Sequence, residues 1–130
     1  MKLIEVVAAI IIHDNKILCV QRGHSKYDYI SNKFEFPGGK IENDETKEEA
    51  IIREVMEELK MLIEVKKEFH TVTHQYPDFS LTMYSFICSC IDPSLSLTEH
   101  ISYAWLEKKD LSKLDWATAD LPIVAKLMKY

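Results

Sequence analysis

The chain has 130 residues, 47% hydrophobic and 28% charged, with 3 glycines and 4 prolines, which excludes a fibrous or disordered chain and suits one packed domain over residues 1–130. A formal net charge of −5 argues against a nucleic-acid polymer as partner, which calls for a basic face; a small anionic ligand suits such a protein if bound cations stand between the two. No apolar run is long enough to span a bilayer and the N-terminus lacks a leader pattern, so the expectation is a cytoplasmic protein with no membrane contact.

Residues 3 to 13, rich in Val, Ala and Ile, predict a buried strand, and Asp14-Asn15 predicts a turn into a second strand from Lys16 to Gln21. Residues 22 to 33 are polar with scattered aromatics and predict a loop. A short strand at Phe34-Glu35-Phe36 should stop at a Pro37-Gly38-Gly39 turn, where the glycines permit positive φ and close backbone approach. Thr46, three residues before Glu49, predicts a capping box for a helix over residues 47 to 59. At about 100° per residue, Ile51, Ile52, Val55, Met56 and Leu59 gather on one side. Glu54, Glu57 and Glu58 gather on the other, with Ala50 between them and Arg53 at the edge.

Two strands follow, at about residues 68 to 75 and 81 to 91, separated by Tyr76-Pro77-Asp78. Ser102 to Leu106 predicts a further strand, and residues 120 to 128 a last helix with Pro122 in its first turn. Strands mixed with two helices predict an α/β fold with a mixed sheet flanked by helices. The three cysteines, Cys19, Cys88 and Cys90, have no C-x-x-C spacing and read as buried free thiols. His13, His24, His70, His74 and His100 show no zinc-site spacing and read as structural.

The chemistry concentrates on the first helix. Three glutamates at i, i+3 and i+4 repel one another by a few tenths of a kcal/mol per neighbouring pair, so something must offset the repulsion. A hard cation such as Mg²⁺ or Mn²⁺ takes carboxylate and carbonyl oxygens of this kind and keeps waters that substrate phosphates replace. The Gly-Gly segment just upstream can bring backbone carbonyls to the same place.

Gly39, five residues, Glu45, seven residues, then Arg53-Glu54-Val55-Met56-Glu57-Glu58-Leu59-Lys60-Met61 closely resembles the Nudix box G-x5-E-x7-R-E-U-x-E-E-x-G-U, where U is a bulky apolar residue. Lys60 stands where the box has Gly. That position ends the helix with positive φ, so a non-Gly residue there costs on the order of 1 kcal/mol of stability without touching the ligands. The segments Asn32 to Glu42 and Ala119 to Leu127 are similar to the MutT branch of the family, whose members hydrolyse nucleoside triphosphates and cleanse oxidised guanine nucleotides.

The resemblance implies a Nudix α/β/α sandwich and a pyrophosphohydrolase that releases a nucleoside monophosphate and pyrophosphate. It implies that the Gly38 carbonyl and the carboxylates of Glu54, Glu57, Glu58 and Glu99 hold Mg²⁺ or Mn²⁺. Glu54 is also the candidate base for the attacking water, Glu57 and Glu99 share the catalytic set, and Lys40 is placed to meet a phosphate. Arg53 and Glu45 should pair to orient the ligands. Arg22, Phe36, Tyr76, Met83, Trp116 and Asp120 fall at or near substrate-contacting positions, although Phe36 and Met83 also suit the core and Asp120 also suits a helix N-cap.

An 8-oxoguanine nucleotide is the leading substrate. Asp120 leaves a cytidine or modified pyrimidine nucleotide as the alternative, because an ionised Asp only accepts hydrogen bonds whereas Asn does both. A nucleotide-binding module without catalysis is the third reading. Pro77, sixteen residues after Met61, sits where relatives that cleave ADP-ribose place a proline, but Tyr76-Pro77-Asp78 also suits the MutT branch. A monomer or homodimer is expected.

Overall fold

The computed structural model describes residues 2–130. Its first strand, β1 (Lys2–His13), is central. Along one edge it pairs in parallel with β6 (Phe79–Ser89), from Lys2↔Phe79 to Ile11↔Cys88. Its other edge is shared by two antiparallel partners, β4 (Gly38–Lys40) against Val6 to Ala8 and β2 (Lys16–Gln21) at Ile12 and His13. The sheet therefore forks beyond Ala8. One branch ends in β5 (Glu64–Gln75), antiparallel to β6, and the other carries β3 (Phe34–Glu35) and β7 (Ser102–Leu106), both antiparallel to β2.

Helices α1 (Lys47–Leu59) and α2 (Leu121–Lys129) cover opposite faces, and the alternation along β1 shows how. Val7, Ala9 and Ile11 join Ala50, Ile51, Val55 and Leu59 of α1 in one buried cluster; Ala8 and Ile10 join Ile123, Val124 and Leu127 of α2 in the other. A strand buried on both faces needs apolar side chains at odd and even positions alike, which is why residues 3 to 13 read as an unbroken apolar run. This is the expected α/β/α sandwich. Among the described residues no helix is long and apolar enough to cross a membrane.

Local signals place the elements well. Asp14 and Asn15 take φ of 49° and 65°, a hairpin turn with two left-handed residues. Both arms of the capping box form: the Glu49 N–H donates to Thr46 Oγ1 at 3.1 Å and the Thr46 N–H donates to Glu49 Oε1 at 2.8 Å. Lys60 ends α1 in the left-handed region, φ 56°, as expected for the box position that favours glycine. Lys60→Gly should therefore stabilise the protein by up to about 1 kcal/mol, partly offset by the freer unfolded chain, read as a raised urea midpoint. A lowered midpoint would count against a strained Lys60.

Three expectations need correction. Pro37-Gly38-Gly39 is not a turn: Gly38 and Gly39 begin β4, because with no side chains they can lie flat against β1. The segment of residues 22 to 33 is the expected loop, with a 3-10 turn at Asp28–Ile30 inside it, but β5 starts four residues early, at Glu64. The third concerns α1. Ala50 is fully buried in the core, whereas Ile52 and Met56 are 36% and 39% exposed. Ile51, Val55 and Leu59 define the middle of the packed face, but the stripe widens toward Ala50, Glu54 and Glu58 instead of the two apolar neighbours.

The three thiols lie buried and unpaired in disulfides. Burial pushes Cys19 and Cys88 up to about 12, so neither is a nucleophile near neutrality.

Candidate active site

The widened stripe carries two carboxylates inward, onto the glycine strand. A Cβ on Gly38 would strike the Val7 carbonyl, and one on Gly39 would strike the Glu54 carboxylate, so the glycine pair lets β4 close on β1 from one side and on α1 from the other. The Gly38 N–H donates to Glu58 Oε1 at 3.2 Å. Gly39→Ala should push Glu54 aside and weaken Mn²⁺ binding at least tenfold, measured by titration calorimetry. Unchanged binding would remove Glu54 from the metal site.

Arg53 organises the outer half. It donates from Nη2 to Glu45 Oε1 at 2.9 Å and to the Lys40 carbonyl at 3.1 Å, and from Nη1 to Glu54 Oε1 at 2.8 Å and Glu57 Oε2 at 3.3 Å. The guanidinium holds the Glu45 carboxyl down to about 2. So Arg53 and Glu45 do pair, and Arg53 also ties Glu54 and Glu57 to β4.

Among the described residues no such cation pairs with Glu58. It is 5% exposed and takes one backbone N–H; burial first, then the charges of Glu35, Glu54 and Glu99, push its carboxyl up to about 9. A buried carboxyl among three others suits a hard divalent cation, which would compensate all four. Among the described residues no three His, Cys, Asp or Glu groups stand as a closed cage, consistent with Glu54 and Glu57 both leaning on Arg53. Glu99 is brought near by its loop: Thr98 donates its N–H and hydroxyl to the Glu58 carbonyl, each at 3.1 Å.

Beside the glycine strand opens a cavity of about 470 Å³, in the usual range for a small-molecule site. Its lining includes Gly38 and Gly39, which pack against α1, the charged Arg22, Glu35 and Lys40, and Phe36, Tyr76, Met83 and Asp120. Trp116 does not line it. Its indole donates to the Leu111 carbonyl at 2.7 Å, and its ring backs Phe36 from the core at 4.7 Å between centroids.

Asp120 does occupy the N-cap position of α2, but its side chain makes no capping hydrogen bond among the described residues. Its Oδ1 instead accepts the Phe36 N–H at 3.2 Å, and burial, then the charge of Glu35, raises its carboxyl well above the ordinary range. Tyr76 accepts the Ala119 N–H at 3.0 Å, so the inner wall is fixed by polar contacts as well as packing.

Glu35 was missed by the sequence reading. It lines the cavity, and its Oε1 accepts from Arg22 Nη2 at 3.2 Å. A charged residue between two phenylalanines in a strand was the available signal, since period two turns it away from both. Tyr27, on the 3-10 turn's leading edge, also lines the cavity and belonged to a segment read only as loop.

An α/β/α sandwich with a carboxylate helix closed on a Gly-Gly strand, beside a cavity lined in part by Phe36, Tyr76 and Met83, defines a phosphoanhydride hydrolase of the Nudix type. Residues 6–126 match the family described as NUDIX domain, and the chain belongs to that family. It is 29% identical over 129 residues to the 8-oxo-dGTP diphosphatase of Escherichia coli (strain K12), across 99% of each chain. It is 31% identical over 128 residues to the CTP pyrophosphohydrolase of the same organism, across 98% of this chain and 93% of the relative. The solution structure of DNA mismatch repair protein MutT from methicillin resistant Staphylococcus aureus 252 is 42% identical and superposes with a TM-score of 0.76, across 99% of this chain and 98% of that one.

Proposed function

We propose that this protein hydrolyses a nucleoside triphosphate to the monophosphate and pyrophosphate, with 8-oxoguanine nucleotides as its substrates. The carrying observation is one cavity whose lining runs from Gly38 and Gly39, which pack against Glu58 and Glu54 of the carboxylate helix, to Phe36, Tyr76 and Met83 beside Asp120. A triphosphate can lie at the first end while its base fills the second. The likeness to an 8-oxo-dGTP diphosphatase supports the same reading.

Glu54, Glu57, Glu58, Glu99 and the Gly38 carbonyl are the groups that would hold Mg²⁺ or Mn²⁺. Bound there, the cation neutralises phosphate charge and lowers the pKa of its water. Arg53 keeps Glu54 and Glu57 in register with β4, so the carboxylates meet the substrate without reorganising. Glu54, mostly buried and held by Arg53, accepts the proton of the attacking water. Lys40 and Arg22, which line the cavity, attract and orient the phosphates, and the Phe36 and Met83 side chains exclude water from the base.

A second reading, a cytidine nucleotide, is favoured by Asp120 in the base pocket and by the likeness to a CTP pyrophosphohydrolase. Monophosphate and pyrophosphate release from 8-oxo-dGTP, dGTP, CTP and dCTP with Mg²⁺ decides between them. The expected result is the highest kcat/KM on 8-oxo-dGTP. Glu57→Gln, at an exposed position of α1, should abolish turnover and leave the melting curve intact. No release from any triphosphate would leave only a nucleotide-binding module.

A further inference from the structure

Outside the carboxylate helix, one buried polar pair has no task in the scheme above. His100, with its side chain 4% exposed, donates from Nε2 to Glu35 Oε2 at 2.8 Å. Its Nδ1 is buried with no partner among the described residues, so Glu35 is the group that orients the ring and fixes its tautomer. The other Glu35 oxygen accepts from Arg22 Nε at 3.3 Å and Nη2 at 3.2 Å. One carboxylate thus joins the connection between β6 and β7, the residue just after β2, and the end of β3, next to the cavity-lining Phe36.

That connection is tied on both sides of His100. Before it, Thr98 donates to the carbonyls of Glu57 and Glu58 at the end of α1, at 3.0 and 3.1 Å. After it, the Ile101 N–H donates to the Gln21 carbonyl at 2.9 Å. Glu99 lies between these ties, and its own backbone is not held by either. His100 supplies the side-chain anchor at the neighbouring position.

We propose that His100, locked by Glu35, is a positioning residue for Glu99: it holds the segment between Thr98 and Ile101 so that the Glu99 carboxylate faces Glu58. The inference rests on Glu99 belonging to the metal-holding set proposed above. It makes Glu35 the shared support of both ends of the site, setting Arg22 at the cavity and, through His100, Glu99 at the carboxylates. A buried pair serving only the fold would affect stability and nothing else.

The test compares the parent with His100→Ala, His100→Gln, Glu99→Gln and the His100→Ala/Glu99→Gln double variant. Mn²⁺ affinity of the chelator-stripped protein is read by titration calorimetry, alongside kcat, KM for 8-oxo-dGTP and thermal stability. His100→Ala should weaken Mn²⁺ binding about 10- to 100-fold and lower kcat, with KM nearly unchanged. His100→Gln, whose amide can donate to Glu35, should recover most of both. In the Glu99→Gln background His100→Ala should have no further effect, since both act through one carboxylate. Fully additive losses, or lowered stability with parental Mn²⁺ affinity, would overturn the proposal. If His100→Ala does not fold, His100→Leu keeps the volume without the donor and serves the same comparison. A parent that turns over no triphosphate defeats the functional reading, while the Mn²⁺ titrations still decide the role of His100.

Discussion

Glu58→Gln should stabilise the protein above neutral pH and remove its turnover. The Glu58 carboxyl, raised from 4.5 to about 9 by burial and then by Glu35, Glu54 and Glu99, binds its proton more tightly in the folded chain than in the unfolded one. Its contribution to stability is therefore complete below about pH 4.5 and lost as pH rises toward 9, by about 1.4 kcal/mol per pH unit. A glutamine keeps an oxygen for the Gly38 N–H and carries no charge, so the variant escapes this loss. In chelator, the stability gap between variant and parent should widen by up to about 3 kcal/mol between pH 6 and 8, measured by urea denaturation. Added Mg²⁺ should stabilise the parent increasingly as pH rises, because binding displaces the proton, and do little for the variant. kcat should fall by on the order of 10²- to 10³-fold or more. A gap independent of pH would mean that Glu58 ionises normally, and the case for a compensating cation at that carboxyl would lapse.

Asp120 carries the second large effect. Its carboxyl is raised well above the ordinary carboxylate range by burial and then by Glu35, so its stability contribution is likewise complete in acid and lost as pH rises through the raised value. In the neutral form it offers one O–H donor beside its acceptors, much as an asparagine offers donors and an acceptor. Asp120→Asn should accordingly keep kcat/KM on 8-oxo-dGTP within about tenfold and raise stability at pH 8. Asp120→Ala leaves the buried Phe36 N–H unpaired, at a cost of about 1–3 kcal/mol, and should lower kcat/KM on every nucleotide. Loss of 8-oxo-dGTP turnover in the asparagine variant, with CTP turnover kept by the parent, would identify an ionised Asp120 reading an amino group and favour the cytidine reading.

The local features of this protein were legible because each depends on residues close in the chain. The Thr46 and Glu49 capping box, the Asp14-Asn15 hairpin turn and the left-handed Lys60 all appear where the sequence places them. So does the helix of glutamates, whose repulsion asks for a cation wherever the helix packs. The face that α1 buries was not legible. Periodicity centres the stripe on Val55 but cannot say to which side it widens, and hydropathy favours Ile52 and Met56 over two glutamates.

The choice went to Glu54 and Glu58 because Gly38 and Gly39, adjacent to α1 only in space, remove the side chains that would have kept the helix away. The same distinction separates Trp116 from Asp120. Both looked like pocket residues, but the indole is satisfied by Leu111 behind Phe36, while the carboxyl reaches Phe36 across 84 residues of chain and enters the cavity. The same holds for Glu35 and His100, which are 65 residues apart and acquire meaning only as a pair. Spacing along the chain thus reported helix, cap, turn and reaction class, all governed by short-range sterics and charge. Which carboxylates are buried, which aromatic ring lines the cavity and which carboxylate holds Arg22 depend on desolvation and long-range pairing, which exist only once the two branches of the sheet have closed between their helices.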